Sequence, residues 1–156
     1  MVKVIRSGCY LTHDSLAFNR FFEKMKHRND KVSQASPGLL PALQVWGAVQ
    51  SIPESGLAIV NVGKRDVSYD VELPIPEMYF RPEKDQFPQK MPEGCKVTLL
   101  HDQHANIEVP TFPEFQVGDM IGFGISHPCT TFDKWRLMYL LDDDYRVTGG
   151  IRIYMS

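Results

Sequence analysis

Apolar residues repeat at two different spacings along this chain, and the change falls near Leu39. Before it, in SLAFNRFFEKMKHR, the residues Leu16, Phe18, Phe21, Phe22 and Met25 recur at helical spacing and predict one amphipathic helix. Its aromatic set is expected to face the core. Thr12 or Asp14 can cap its start. The basic run Lys24, Lys26, His27 and Arg28 suits its C-terminal end. Ahead of the helix, VKVI reads as a short strand that stops at RSG, and NDKVSQASPG behind it reads as loop.

Beyond Leu39 the rhythm is that of strands. ALQVWGAVQSI alternates, PESG is a turn, and LAIVNVG is a short apolar run of the kind a buried strand shows. DVSYDVEL follows as another strand candidate. From Pro74 to Pro92 there are five prolines, which lack the ladder donor, so this stretch is expected to wander irregularly over the surface. CKVTLLH and ANIEV predict a hairpin around DQH. PEFQVGD turns into MIGFGIS, and RLMYLLD and YRVTGGIRIYM close the chain around Asp143 and Asp144. Many short strands with glycine turns predict a mainly β fold, barrel or sandwich, after one N-terminal helix. A lone strand and helix ahead of a β domain look like the end of something larger.

Composition narrows the function classes. The 156 residues suffice for one domain with its own core. With 43% hydrophobic and 23% charged residues, the balance is that of a soluble globular protein. No apolar run approaches a membrane span, and no signal segment opens the chain. Net charge is −2 with Lys and Arg scattered, which leaves no footprint for nucleic acid. Cys9, Cys95 and Cys129 make an odd count without a CxxC pair, which argues for a reducing, cytoplasmic setting. Cys95 reads as a small buried hydrophobe.

Three short stretches carry candidate chemistry. In GISHPCTTFDKW, His127 and Cys129 flank a proline. On an extended segment they would point the same way and offer an imidazole and a thiolate to one ion, a donor pair that favours zinc. Two protein ligands would leave positions open for water or substrate. A packed turn holding a histidine and a buried thiol is the other reading of the same residues. HDQH, residues 101 to 104, is either a functional hairpin tip or a solvated one. In RSGCY, Gly8 permits a close backbone approach to a phosphate, and Arg6 could reach an anion or a ring nitrogen; a plain turn is the alternative. DDD at 142 to 144 reads as a solvated turn, and Trp46 and Trp135 as core or interface residues.

Taken in order, RSGCYLTHD, LPALQVWGAVQSIPESGLAIVNVGKRDVSYD, LLHDQHANIEVP, VGDMIGFGISHPCTTFDKWR and DDDYRV resemble the C-terminal part of a family of pyridoxal-phosphate enzymes. It is the D-serine dehydratase and D-threonine aldolase group, of fold-type III and related in fold to alanine racemase. The resemblance runs from about Val4 to Tyr154 and is weakest between Pro74 and Pro92. It implies an alanine-racemase-like C-terminal β-barrel over residues 37–156. Residues 1–36 would be the last strand, helix and linker of a TIM-like cofactor-binding barrel. No lysine here matches the family's Schiff-base motif, so that lysine is expected in a missing N-terminal barrel.

The resemblance makes His127 and Cys129 zinc ligands with catalytic roles. The aldolases have an aspartate at the second position, so Cys129 points toward the dehydratase branch. Arg6, Gly8 and Cys9 would contact pyridoxal phosphate. Asp102 and Gln103 would line the substrate side, with His104 as a further catalytic candidate. The implied reaction removes water and ammonia from a D-β-hydroxy amino acid; retro-aldol cleavage is the alternative. A truncated metal-binding module that catalyses nothing is the non-enzyme alternative. Family members commonly form homodimers. Without its barrel the chain is expected to expose an apolar patch or to self-associate.

Overall fold

The computed structural model describes residues 3–4, 8, 11–28, 40–109 and 115–154. Helix α1 spans Ala17–Arg28. Asp14 starts it: Oδ1 accepts the backbone N–H of Leu16 at 2.9 Å and of Phe18 at 3.0 Å. This satisfies two of the donors that a helix start leaves open. Lys26, His27 and Arg28 fill the last turn, as expected. The apolar stripe is not in the core, however. No residue of α1 is buried among the described residues, and Phe18, Phe21 and Met25 are exposed. The expected strand at VKVI is not formed at Lys3 and Val4, and Ile5 lies outside the described residues.

Among the described residues nine strands follow: β1 Gln44–Glu54, β2 Leu57–Val60, β3 Ile75–Phe80, β4 Gln89–Lys90, β5 Lys96–Leu100, β6 Ala105–Glu108, β7 Met120–Gly124, β8 Leu137–Leu141 and β9 Val147–Arg152. Seven form one antiparallel sheet in the order β4-β3-β7-β1-β2-β6-β5. The sheet curls until β3 meets β5, giving a half-barrel. The last two strands pair only with each other. A short helix, α2 (Pro128–Phe132), sits between β7 and β8.

The mainly β architecture agrees with the strand rhythm. Val45, Val49, Ala58, Val60, Ile107, Ile121 and Phe123 fill the concave side. Each large side chain buried there contributes roughly 1.5–3 kcal/mol. In β7 the intervening glycines face the other way and leave room for neighbours. A Cβ on Gly122 would stand 2.7 Å from the Trp46 ring, which lies across it.

Two further expectations fail. The proline-rich stretch contains β3, an interior strand of the sheet. Pro76 is tolerated because the β3–β7 register shifts between Pro76 and Met78, a bulge where a ladder donor can be spared. DVSYDVEL is not a strand but a loop. It begins in a tight turn in which Gly63 N–H donates to Asp66 Oδ2 at 2.8 Å and Val67 N–H to Gly63 O at 3.2 Å.

The end of β3 is fixed to the start of β7 by Arg81 and Asp119. Asp119 is 2% exposed and also accepts the backbone N–H of Gln116. The Asp119 carboxylate, as hydrogen-bond partner, pushes the Arg81 guanidinium further up.

Candidate functional site

Strand β7 delivers the candidate metal-ligating segment. The buried run continues through Ile125 and Ser126 and then emerges at His127. His127 is extended, with φ −142° and ψ 94°. Strand β7 has ended at Gly124, and Pro128 opens the short helix because its fixed φ suits a first helical position. Cys129 therefore lies in the first turn of α2. The strand alternation expected to align His127 with Cys129 does not govern this pair, because only the first of the two is extended. The Cys129 side is exposed, and the His127 side chain is 30% exposed.

The ring of His127 is held from one side. Its Nδ1 lies 2.6 Å from Asp70 Oδ2. The Thr130 hydroxyl donates to Asp70 Oδ1 at 3.4 Å. Deeper in, Ser68 N–H donates to Thr131 Oγ1 at 2.9 Å, and Thr131 is fully buried. Trp135 Nε1 donates to Asp66 O at 2.7 Å. The loop 66–70 and helix α2 are thus stapled together along their length. Partial burial pushes the Asp70 carboxyl up. The hydrogen bond to His127, a backbone N–H, the imidazolium charge and Thr130 outweigh this, so the group sits below its ordinary range. Among the described residues, no group of three His, Cys, Asp or Glu side chains is placed to hold a metal ion.

Asp70 escapes a reading of the sequence alone. It is 57 positions from His127 and falls in a segment expected to be strand. The one local signal is an acidic residue next to Tyr69 in a segment that ends without a clean alternation.

The hairpin tip is where the sequence puts it, between β5 and β6. The N–H of His101 donates to His104 O at 2.8 Å and closes the turn. His101, Asp102 and Gln103 are exposed and His104 is half-buried. The N–H groups of Lys64 and Arg65 donate to the carbonyls of His101 and Asp102 at 2.8 and 3.0 Å. Gly63 makes this approach possible, since any Cβ there would overlap the Asp102 backbone. The loop that carries Asp70 therefore rests on the hairpin tip at its other end. No hydrogen bond or ion pair joins the tip side chains to His127 among the described residues.

At the N-terminal side, Arg6 and Cys9 lie outside the described residues. Gly8 is exposed, with open space where a Cβ would stand. The segment ahead of α1 is tied to the same end of the sheet: Ser15 N–H donates to Ile125 O at 2.9 Å, and Ala42 N–H to Thr12 O at 2.8 Å. A cavity of about 550 Å³ lies elsewhere, lined by Trp46, Phe80, Phe87, Met120, Leu141 and Tyr145, and includes neither His127 nor the hairpin tip. Trp46 is half-buried and meets Tyr145 edge-on, while Trp135 is 37% exposed. No described helix is long and apolar enough to cross a membrane.

Comparison with solved structures shows the fold. D-threonine aldolase from Filomicrobium marinum superposes with a TM-score of 0.53 at 21% identity, over 67% of this chain and 25% of that one. D-threo-3-hydroxyaspartate dehydratase from Delftia sp. HT23 gives 0.54 at 20% identity, over 73% of this chain and 32% of that one. A cysteine-to-alanine variant of D-threo-3-hydroxyaspartate dehydratase in the metal-free form gives 0.55 at 18% identity, over 80% and 36%. A histidine-to-alanine variant, altered two positions earlier, also matches. The chain spans about a quarter to a third of the length of these proteins. A search of curated proteins finds no match. A family model described as "Putative serine dehydratase domain" matches residues 42–141, from just before β1 to the end of β8. On that match and this fold, the chain belongs to the serine dehydratase domain family.

Proposed function

We propose that this chain is the metal-bearing β domain of a cytoplasmic D-amino acid lyase that uses pyridoxal phosphate and zinc. Its substrate class is D-β-hydroxy amino acids, and its reaction is loss of water and then ammonia. Residues 37–156 form the β domain, and residues 1–36 end a cofactor-binding barrel. The observation that carries this reading is the placement of His127 and Cys129, two positions apart, where buried strand β7 reaches the surface. The same spacing separates the histidine and cysteine replaced in the D-threo-3-hydroxyaspartate dehydratase variants.

The donor set fits zinc. Imidazole nitrogen and thiolate are borderline-to-soft ligands, unsuited to magnesium or calcium. Two protein ligands suit an open site, with remaining positions for water, substrate or another part of the protein. Bound zinc would supply Lewis acidity toward a hydroxyl oxygen. His127 and Cys129 hold that site, and the loop 66–70 orients the imidazole. Asp102, Gln103 and His104 stand on the hairpin that supports the far end of this loop, and on this reading they would shape the approach of a substrate. The thiol of Cys129 favours dehydration over aldol cleavage. Around Gly8 there is open space and, among the described residues, no cradle for pyridoxal phosphate.

Metal analysis of the wild type, His127→Ala and Cys129→Ala tests the reading. Zinc bound by the wild type and lost in both variants is the expected result. Equal zinc in all three would end the ligand assignment.

A further inference from the structure

Asp70 closes one of the stretches that carry the family resemblance but is given no role by it, and it makes a short polar contact, 2.6 Å, to the proposed ligand. We infer that Asp70 is the positioning residue of this site: its carboxylate accepts the Nδ1 proton of His127 and so leaves the Nε2 lone pair facing outward for the metal. The inference rests on the reading of His127 as a ligand.

The argument is one of donors and acceptors. An ionised carboxylate only accepts hydrogen bonds, so at 2.6 Å from Asp70 Oδ2 the Nδ1 atom must carry a proton. In neutral imidazole the other nitrogen is then the acceptor. No hydrogen bond engages Nε2 among the described residues. A ring held in this way donates from one nitrogen and can ligate with the other. Such carboxylate–histidine pairing fixes ring orientation and raises ligand basicity.

The carboxylate is itself held, although its side chain is 47% exposed. Thr130, the residue after Cys129, donates to its other oxygen. Two residues earlier in the loop, Ser68 is bonded to buried Thr131 through both backbone and side chain. Asp70 and Cys129 are thereby referred to the same turn of α2. An ordinary surface ion pair contributes little to stability; the effect expected of Asp70 is on the ring tautomer and on metal affinity.

The test uses the 156-residue chain with Asp70→Asn, Asp70→Ala and His127→Ala. Long-range nitrogen–proton correlation spectra of the metal-free protein, taken where His127 is neutral, should show the Nδ1–H tautomer in the wild type. Asp70→Asn keeps size and hydrogen bonding, but its amide can meet either tautomer, so a mixture is expected. Asp70→Ala should revert to the Nε2–H form. Zinc affinity, by competition with a chelating dye, should fall about 10- to 100-fold in Asp70→Ala. Wild-type ring signals and affinity in both Asp70 variants would overturn the inference. If His127→Ala also loses zinc in that case, the ligand reading stands alone. If zinc is indifferent to His127→Ala, the ligand reading falls, and the inference with it.

Discussion

Arg81 grips Asp119 with two parallel hydrogen bonds, Nε to Oδ1 at 2.8 Å and Nη2 to Oδ2 at 2.7 Å. Asp119 is almost wholly out of water. Arg81→Ala would leave its charge buried and should destabilise the domain by roughly 3 kcal/mol, near the low end for broken buried pairs because the guanidinium keeps some exposure. Arg81→Lys should recover only part, since an ammonium cannot make the fork. Urea unfolding measures this; a loss under about 1 kcal/mol would put the pair in the surface class.

The Cys95 thiol is pushed up by burial, whereas Cys129 stands exposed at the proposed site. Brief alkylation at neutral pH should modify Cys129 well before Cys95, because the thiolate is the reacting form and access adds to the difference. Zinc should slow the Cys129 reaction and leave Cys95 unchanged. Mass spectrometry of the digested protein resolves the two. Protection of Cys95 by zinc, with none at Cys129, would contradict the ligand assignment.

The Asp70 carboxyl titrates below its ordinary 3.8 in the folded chain. A depressed folded value adds stability that is present above the unfolded value and lost as pH falls through the folded one. The wild type should therefore exceed Asp70→Asn in stability above the unfolded value, and the gap should close as pH falls through the lower folded one. Its size is small because the group is well solvated. Thermal melts of both proteins across this range check the direction; a gap that widens toward low pH would be the wrong sign.

Hairpin β8–β9 presents Leu137, Tyr139, Leu141 and Val147 to solvent, and α1 adds Phe21 and Met25. Large exposed apolar patches are uncommon on a monomer and mark contact with another surface. The chain should bind an apolar dye and run larger than a monomer on gel filtration. Tyr139→Lys with Val147→Lys should reduce both signals. A clean monomer that excludes the dye would refute the expectation.

What the sequence reveals and hides follows from the range of each interaction. β1, β5, β6 and β7 are legible because alternation and apolar runs are local. Asp14 is legible as a cap for the same reason. The strand through Pro76 is hidden because a bulge against β7, set by a partner 47 positions on, decides whether a proline fits. The aromatic stripe of α1 predicts the helix correctly but not its surroundings, since no described residue buries it. His127 and Cys129 stand out by residue type, yet Pro128 turns the chain into a helix between them. Asp70 is invisible until the loop is folded back onto α2.

The loop from Gly63 to Asp70 is clamped at both ends, by the hairpin carbonyls at one and by His127, Thr130 and Thr131 at the other. It behaves as a strut. A larger residue at Gly63 would pry the hairpin tip away from its seat, and the far end would carry that displacement to the imidazole. The aim of His127 is thus set partly by a position that touches neither the ring nor anything the ring could bind.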